Sequence, residues 1–409
     1  MNQGPAPVPT PGGAQRLLSL DALRGFDMFW IVGAAALVTA LEKVSDNAVT
    51  RFLSTQLHHV PWEGFRFYDL IFPLFVFIAG VSLVFSMERT LAQQGQGKAI
   101  ARLARRCALL FLLGIFYYGG FSARWPEIRL SGVLQYIAVA SFCGGALFIL
   151  LRRARALALV CAALLLGYWA LMAFVPFPDV RLDKETLAQT VAQLKSSEPA
   201  QVLQTAAGRA RGCYEEGHNL SNYVDYRYLP GKKINGAYES QPLLGILGVV
   251  SVCLLGLLAG LWLRRGDADD HRKVIGLVLA GVASVALGYL WGLQFPVVKK
   301  LWSPSFVLVT GGCSALLLGL FYWLVEIRQW RTWCQPFVWI GMNPITIYLA
   351  HNLIDFPKIA ARLAGGDVQA WLDLHLAKGA GGLLLAAVEL GLTFLLVRFL
   401  YVRKIFIRL

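Results

Sequence analysis

Uncharged apolar runs of 15 to 20 residues recur along the whole chain, separated by short polar segments. About 20 apolar residues, rising 1.5 Å each as a helix, cross the hydrocarbon core of a bilayer. The pattern predicts ten spans, at 23–41, 67–87, 100–118, 131–151, 155–175, 242–263, 273–293, 305–326, 335–353 and 380–401. Arg152, Arg153 and Arg155 make a tight cationic turn between the fourth and fifth, and Arg264 to Lys273 separate the sixth and seventh. The fold class expected is therefore an all-α integral membrane protein. Residues 1–15, rich in Pro and Gly with no positive start, read as a disordered tail rather than a cleaved signal. Residues 16–409 read as one multispanning domain, without a convincing internal repeat.

Two outer segments interrupt the apolar pattern. The larger, 176–241, balances eight acids against eight bases. Residues 183–208 look helical, and Gly212 to Pro242, with Asn219, Asn222, Tyr223, Tyr226, Tyr228 and Gly231, reads as an ordered loop. Long ordered loops beside a bundle commonly cover or line a site. The second segment, 357–378, contains Val368 to Lys378, a short interfacial helix with Trp371, Leu372 and Leu376 toward lipid.

Composition narrows the class. Hydrophobic residues make up 57% of 409 and charged residues 15%, with mean hydropathy +0.57. Soluble domains hold about 25% charged residues, so an ordinary cytosolic enzyme and a disordered chain are excluded. Five of the seven cysteines lie inside apolar runs, Cys334 sits at the edge of one, and Cys213 alone lies in a long polar segment. Neither a disulfide framework nor a metal cage fits that distribution. Of the 38 bases behind the net charge of +14, 20 fall in alternate segments that include both termini, 10 in the opposite short loops and eight in 176–241. That two-to-one bias places both termini in the cytoplasm. Most of the positive charge then sets topology, and nucleic acid is not called for.

The remaining polar residues stand where they are expensive. Asp21, Arg24 and Asp27 open the first span at i, i+3 and i+6, sharing a face on which they can pair. Asp21 as a helix-dipole partner and Arg24 as a topology anchor is the plainer alternative. Before the second span come His58, His59, Trp62 and Glu63, then Asp69 and Pro73. An imidazole there suits general base catalysis or acyl carriage, oriented by Asp69, although a loop histidine is also an ordinary surface residue. Lys98, Arg102, Arg105 and Arg106 form an inner basic cluster. Arg102 shares a face with Arg105 or Arg106 that is able to clamp phosphates, or the cluster is simply a topology signal. Asn343, between Gly341-Met342 and Pro344, predicts an irregular helix whose freed backbone groups need partners. His351 and Asn352 end that span on the side of His59, and Glu389 lies mid-span in the last helix, where it needs a partner or a proton. Trp302, Ser303 and Ser305 stand at the mouth of the eighth span. The helix ends at 59–69, 302–305 and 351–352 are expected to converge on one outward-facing pocket.

Five ordered motifs resemble a known family. Asp21-Ala-Leu-Arg24-Gly25-Phe26-Asp27 is similar to the opening motif of the heparan-α-glucosaminide N-acetyltransferase-like family. His59-Val-Pro-Trp62-Glu-Gly64 with Asp69-Leu-Ile-Phe-Pro73 resembles its second. Arg129-Leu-Ser-Gly132-Val133-Leu134-Gln135, Lys300-Leu-Trp302-Ser-Pro-Ser305-Phe306-Val307 and Gly341-Met342-Asn343 resemble three more. The resemblance runs from about 16 to 404 and is strongest to the bacterial branch often termed NagX-like. It implies a multi-pass protein of the bacterial inner membrane that carries an acetyl group from cytosolic acetyl-CoA to the amino group of a glucosamine-type sugar outside. The large luminal N-terminal domain of the animal enzyme is not part of the resemblance.

Carried onto this sequence, the family's essential histidine is His59, with Asp69 and Asn343 as its catalytic companions. Arg24, Gln135 and Ser305, with Arg102, Arg105 and Arg106, are the implied acetyl-CoA contacts. Trp62, Trp302 and His351 are assigned to the acceptor, although interfacial tryptophans are also belt residues. Tyr136 stands where many members carry Arg. No metal is implied. The implied partners are an amino-sugar or glycan acceptor and membrane lipids, with room for a homodimer. Both direct attack on the thioester and an acetyl-His59 intermediate fit these residues. Ten spans with both ends inside also suit a transporter of amino sugars or oligosaccharides.

Overall fold

The computed structural model describes residues 17–122 and 124–406. The tail expected over residues 1–15 lies outside the described residues, as do Arg16 and Arg408, two of the 20 bases counted in the segments that include the termini. The first helices are α1 (Leu18–Phe29), α2 (Ala35–Val44), α3 (Ala48–Gln56), α4 (Phe67–Tyr117), α5 (Val133–Leu151) and α6 (Ala154–Phe174). The polar insertion carries α7 (Lys184–Leu194), α8 (Pro199–Gln204) and α9 (Leu220–Tyr228). Then follow α10 (Ile246–Leu263), α11 (Asp270–Gly292), α12 (Pro304–Tyr322), α13 (Gln335–Gly341), α14 (Pro344–Leu353), α15 (Phe356–Ala364), α16 (Asp367–His375) and α17 (Ala380–Val402). The named strands among the described residues are two antiparallel pairs of two-residue strands, Phe177–Pro178 with Arg209–Ala210 and Tyr214–Glu215 with His218–Asn219. The all-α membrane class read from the hydrophobic pattern is the class observed.

Among the described residues, eight helical stretches are long and apolar enough to cross a membrane. Two of the ten expected intervals do not appear as separate stretches, for physical reasons. The interval 67–87 and all but the last residue of 100–118 lie within α4, whose 51 residues would extend about 76 Å if straight, over twice the hydrocarbon thickness. Gly95, at φ 79° and ψ 175°, breaks it into two limbs. The limbs lie against the same α5–α10 pair: a Cβ on Gly144 of α5 would meet Cys253 of α10 and one on adjacent Gly145 would meet Leu103, while one on Gly80 would meet the Cys253 carbonyl. Leu103 belongs to the second limb and Gly80 to the first, so the chain has folded back. The interval 335–353 is split into α13 and α14, because Pro344 begins a helix and disfavours helical geometry at Asn343 before it. One freed backbone group has a partner, since Arg24 Nη1 donates to the Gly341 carbonyl at 3.4 Å, while the Asn343 side chain reaches away to the Ile405 carbonyl at 2.9 Å.

Helix association in lipid relies on close packing rather than on removal of apolar surface from water. The backbones accordingly touch where side chains are smallest. A Cβ on Gly341 would collide with the Asp21 carbonyl, and one on Gly312 would meet the Gly281 carbonyl across the α11–α12 contact. α10 runs through the core, whereas Leu159 and Leu166 of α6 and Leu279 and Leu290 of α11 are exposed, as lipid-facing side chains are. All seven cysteines are free.

The insertion is ordered and docked. The helix expected over 183–208 is two, since Lys195 turns left-handed at φ 52° and Pro199 starts α8 afresh. In the second outer segment, α16 exposes Trp371 and Leu374 and the chain just after it exposes Leu376, as an interfacial helix should, while Leu372 is half-buried instead.

Candidate active site

The segment between α3 and α4 is tied down at several points. Asn47 caps α3, its side chain accepting from Val49 and Thr50 N–H. At the other end of α3, the His58 ring turns back, its Nδ1 2.7 Å from the Ser54 carbonyl. Gln56 accepts from Phe67 N–H at 3.1 Å, closing the loop. Gly64 N–H donates to the Val297 carbonyl at 2.9 Å, and Glu63 bridges Val298, which joins this loop to the turn between α11 and α12. Trp62 Nε1 donates to the Tyr214 carbonyl at 2.8 Å, fastening the insertion to the same loop.

These ties leave His59 facing Asp69. Its Nδ1 lies 2.8 Å from Asp69 Oδ1, and the Asp69 side chain is fully buried. Asp69 sits in the first turn of α4, where helix N–H groups favour an anion. Its Oδ2 accepts from Arg66 N–H at 3.2 Å and from Val60 N–H at 3.4 Å. An ionised carboxylate only accepts and so favours the proton on Nδ1, which leaves Nε2 as the one ring atom able to accept, from a neighbouring ammonium or from a substrate.

Lys299 completes the group. It lies on the short turn Lys299–Leu301 before α12, with Nζ 2.9 Å from His59 Nδ1, 3.3 Å from Nε2 and 3.4 Å from Asp69 Oδ1. Burial pushes the Lys299 ammonium down to about 8, against the opposing pull of Asp69. The Tyr68 ring packs on the imidazole, centroids 4.8 Å apart.

A cavity of about 270 Å³ runs from this group into the bundle. His59, Lys299, Tyr68 and Gln241 supply its polar mouth, and Met28, Ile31, Ile71, Phe72, Phe75 and Ile345 are among its walls. Pro344 and Ile345 bring the broken α13–α14 joint to the wall, and Tyr348, stacked on Tyr117 at 4.6 Å, stands one turn further on. Gln241 ends the insertion, whose last residues are latched by Arg129 to Glu239 and by Ser131 Oγ to the Gln241 carbonyl.

Arg24 lies toward the opposite end of the bundle. Its Nη1 is 3.0 Å from Asp21 Oδ1 and its Nη2 2.7 Å from Ser82 Oγ. Arg106 is half-buried and shares an electrostatic environment with Arg24 and Arg102, whereas Arg102 and Arg105 are exposed. Asp27, on the same helix, is buried without being joined to Arg24 by a hydrogen bond.

The other candidates fall apart from the cavity mouth. Gln135 is buried near the His59 end of α5, its Nε2 3.5 Å from the Arg129 carbonyl, and so lies away from the inner arginines. Ser305 donates to the Pro296 carbonyl at 2.9 Å and is buried. Trp302 is buried behind the wall, edge-on to Phe72 at 5.1 Å. His351 Nε2 lies 3.9 Å from Glu389 Oε1, which gives the mid-span carboxylate a neighbour of suitable chemistry. Asn343 is buried and bonded toward Ile405. The structure thus joins His59 and Asp69, and adds Gln241 and Tyr348 together with Lys299 and Tyr68, which stand in the polar segments beside the motifs but have no role assigned by them. One signal for Lys299 was available: two adjacent lysines in a short outer loop run against the inside bias of positive charge.

Residues 16–190 match the family described as heparan-alpha-glucosaminide N-acetyltransferase, catalytic. The heparan-alpha-glucosaminide N-acetyltransferase of Homo sapiens is 27% identical over 334 residues, covering 73% of this chain and 49% of the relative. The Mus musculus protein of the same name is 25% identical over 348 residues, with the same shares covered. The chain spans about half the length of the curated relatives it matches. His59 and Asp69 fall inside the matched family region, whereas Lys299 and the α13–α14 joint lie beyond it.

Proposed function

We propose that this relative of the heparan-alpha-glucosaminide N-acetyltransferases is a membrane-embedded acyltransferase. It moves an acetyl group from acetyl-CoA, presented from the cytoplasmic side of a bacterial inner membrane, to the amino group of an outward-facing glucosamine-type sugar. The observation that carries this reading is the His59–Asp69 pair, at 2.8 Å, at the mouth of a cavity entering the bundle. A base held in one tautomer by a buried carboxylate is what an amine needs to lose its proton as it attacks a thioester.

Each residue then has a task. Asp69 fixes the imidazole with Nε2 toward the cavity. His59 accepts the amine proton and returns it to the leaving thiolate, or first takes the acetyl group itself. The apolar walls suit the narrow part of the donor, and Arg106 and Arg102, beside Arg24, suit its phosphates. The insertion, through Gln241 and the Trp62–Tyr214 tie, borders the acceptor side.

The test uses purified protein in liposomes, with labelled acetyl-CoA and glucosamine. Wild type transfers label to the sugar amine and His59→Ala does not. No transfer by wild type, or full transfer by His59→Ala, sinks the proposal. A transporter is the second reading, favoured by two interrupted helices whose residues reach the cavity, at Trp30–Ala34 and at Gly341–Pro344. Counterflow of labelled glucosamine without acetyl-CoA supports that reading instead.

A further inference from the structure

Lys299 is held in place rather than free to sweep. The strand-like tie of residues 63–64 to 297–298 fixes the backbone before it. Trp302, left-handed at φ 54° and buried, fixes the backbone after it, and Ser303 closes the turn by donating to the Pro296 carbonyl at 2.8 Å. The charged and titratable groups facing Lys299 come from three elements: Asp69 and Tyr68 from α4, His59 from the preceding loop and Tyr348 from α14 across the cavity. Arg66 donates to the His59 carbonyl at 3.3 Å on the rim, and the neighbouring Lys300 turns away to Glu216 at 2.7 Å. A largely buried cation therefore stands at the cavity mouth, beside His59, which handles the proton, and Asp69, which orients it.

Resting on the acyltransferase reading above, we propose that Lys299 is a catalytic residue whose ammonium holds the negative charge that forms on the thioester oxygen. In the step, the amine nitrogen bonds to the carbonyl carbon and the C=O π pair moves onto oxygen. The nitrogen's proton passes to His59 Nε2. Collapse of the intermediate breaks the C–S bond, and the leaving thiolate takes that proton from His59. Lys299 neither gains nor loses a proton; it donates a hydrogen bond to the oxygen. An attacking nitrogen bonded to Nε2 places the carbonyl oxygen two bonds further on, within reach of an ammonium that starts 3.3 Å from Nε2. A fixed cation in a low-dielectric site acts strongly on such charge because nothing has to reorganise. With its proton lost near pH 8, Lys299 is charged at neutral pH and loses this role as the medium becomes basic.

The test compares wild type, Lys299→Gln, Lys299→Met and Lys299→Arg in liposomes, across pH, with labelled acetyl-CoA and glucosamine. Both neutral variants are expected to lose on the order of 100-fold in kcat, as removal of one oxyanion donor does. Lys299→Arg is expected to keep most of the rate and to shift the falling basic limb to higher pH, because a guanidinium keeps its charge. Independently of turnover, an amine-reactive label on the wild type without substrates, read by mass spectrometry of the Lys299 peptide, should have its half-point near pH 8. Full activity in Lys299→Gln, equal loss in Lys299→Arg and Lys299→Gln, or an unmoved basic limb in Lys299→Arg each overturns the proposal, whereas a labelling half-point at the ordinary lysine value overturns the pH dependence given to it. A wild type with no transfer sinks the acyltransferase reading itself; an active wild type indifferent to Lys299→Gln sinks only the role of Lys299.

Discussion

Arg129 and Glu239, 110 residues apart in sequence, form a two-pronged pair, with Nε to Oε1 at 2.9 Å and Nη2 to Oε2 at 2.8 Å. Arg129 also reaches Gln241 at 3.0 Å and lies over the Tyr118 ring at 4.3 Å. The pair fastens the end of the insertion to the loop before α5, beside the cavity mouth. The Glu239 side chain is fully buried, so Glu239→Gln leaves Arg129 largely buried without its carboxylate, which costs about 3–5 kcal/mol in such settings. The expected result is faster proteolysis of the insertion and a raised KM for the acceptor, with the bundle still folded by circular dichroism.

Asp225 gives the insertion a pH dependence. Its carboxyl is fully buried and pushed up to about 7, chiefly by burial, despite accepting from Leu243 N–H at 2.8 Å and Glu239 N–H at 3.0 Å. A raised acid holds its proton more tightly in the folded state than in the unfolded one. Docking is therefore favoured at low pH, weakens as pH rises from about 4 to about 7 and is level above that. Burial raises Glu239 as well, so it acts in the same direction. Limited proteolysis between α7 and α9 should be slower at the acid end of this range than at the basic end. Asp225→Asn should flatten the slope.

Asp69→Asn tests how the base is held. The amide of asparagine can donate to Nδ1, which moves the imidazole proton to Nε2 and removes the lone pair facing the cavity. A loss of roughly 100- to 10,000-fold in kcat is expected, with KM little changed. Asp69→Glu, which keeps an acceptor at a displaced position, should recover part of the rate. Equal rates for Asp69→Asn and wild type would remove the dyad from the mechanism.

The class of the fold was legible because twenty-residue apolar runs have few other uses in a chain. The His59–Asp69 pairing was legible because the loop is short and Asp69 begins a helix. What could not be read were relationships set by distant backbone. Lys299 reaches His59 only because a bridge joins residues 63 and 298, and no local pattern encodes that bridge. Trp302 has the composition of a sugar platform, yet its left-handed backbone turns the ring into the core. Gly95 sits in a polar stretch that reads as a loop between two helices, whereas helical geometry persists on both sides of it and one residue makes the turn.

The inner arginines separate into useful pairs for testing donor binding. Arg106 is half-buried toward Arg24, while Arg105, one residue before it, is exposed. If the phosphates of the donor meet this cluster, Arg106→Gln weakens acetyl-CoA binding about tenfold, near 1.4 kcal/mol, and lowers its salt dependence. Arg105→Gln leaves both nearly unchanged. Calorimetric titration of CoA into each detergent-solubilised variant reads the difference without turnover.

Gly95 and Gly97 offer a matched pair for the fold-back of α4. A Cβ on either would meet no neighbour within 4 Å, so crowding does not distinguish them. Their backbones do: Gly95 has φ 79° and ψ 175°, a region essentially closed to residues with a side chain, while Gly97 has no positive φ. Gly95→Ala should destabilise the protein by about 1–3 kcal/mol through strain at the turn. Gly97→Ala, in a helical setting where alanine is the better former, should be neutral or slightly stabilising. Thermal melts of the two variants in one detergent check this. Equal melting temperatures would mean that the limbs of α4 are held together by their packing on α5 and α10 and that the turn between them is free to adapt.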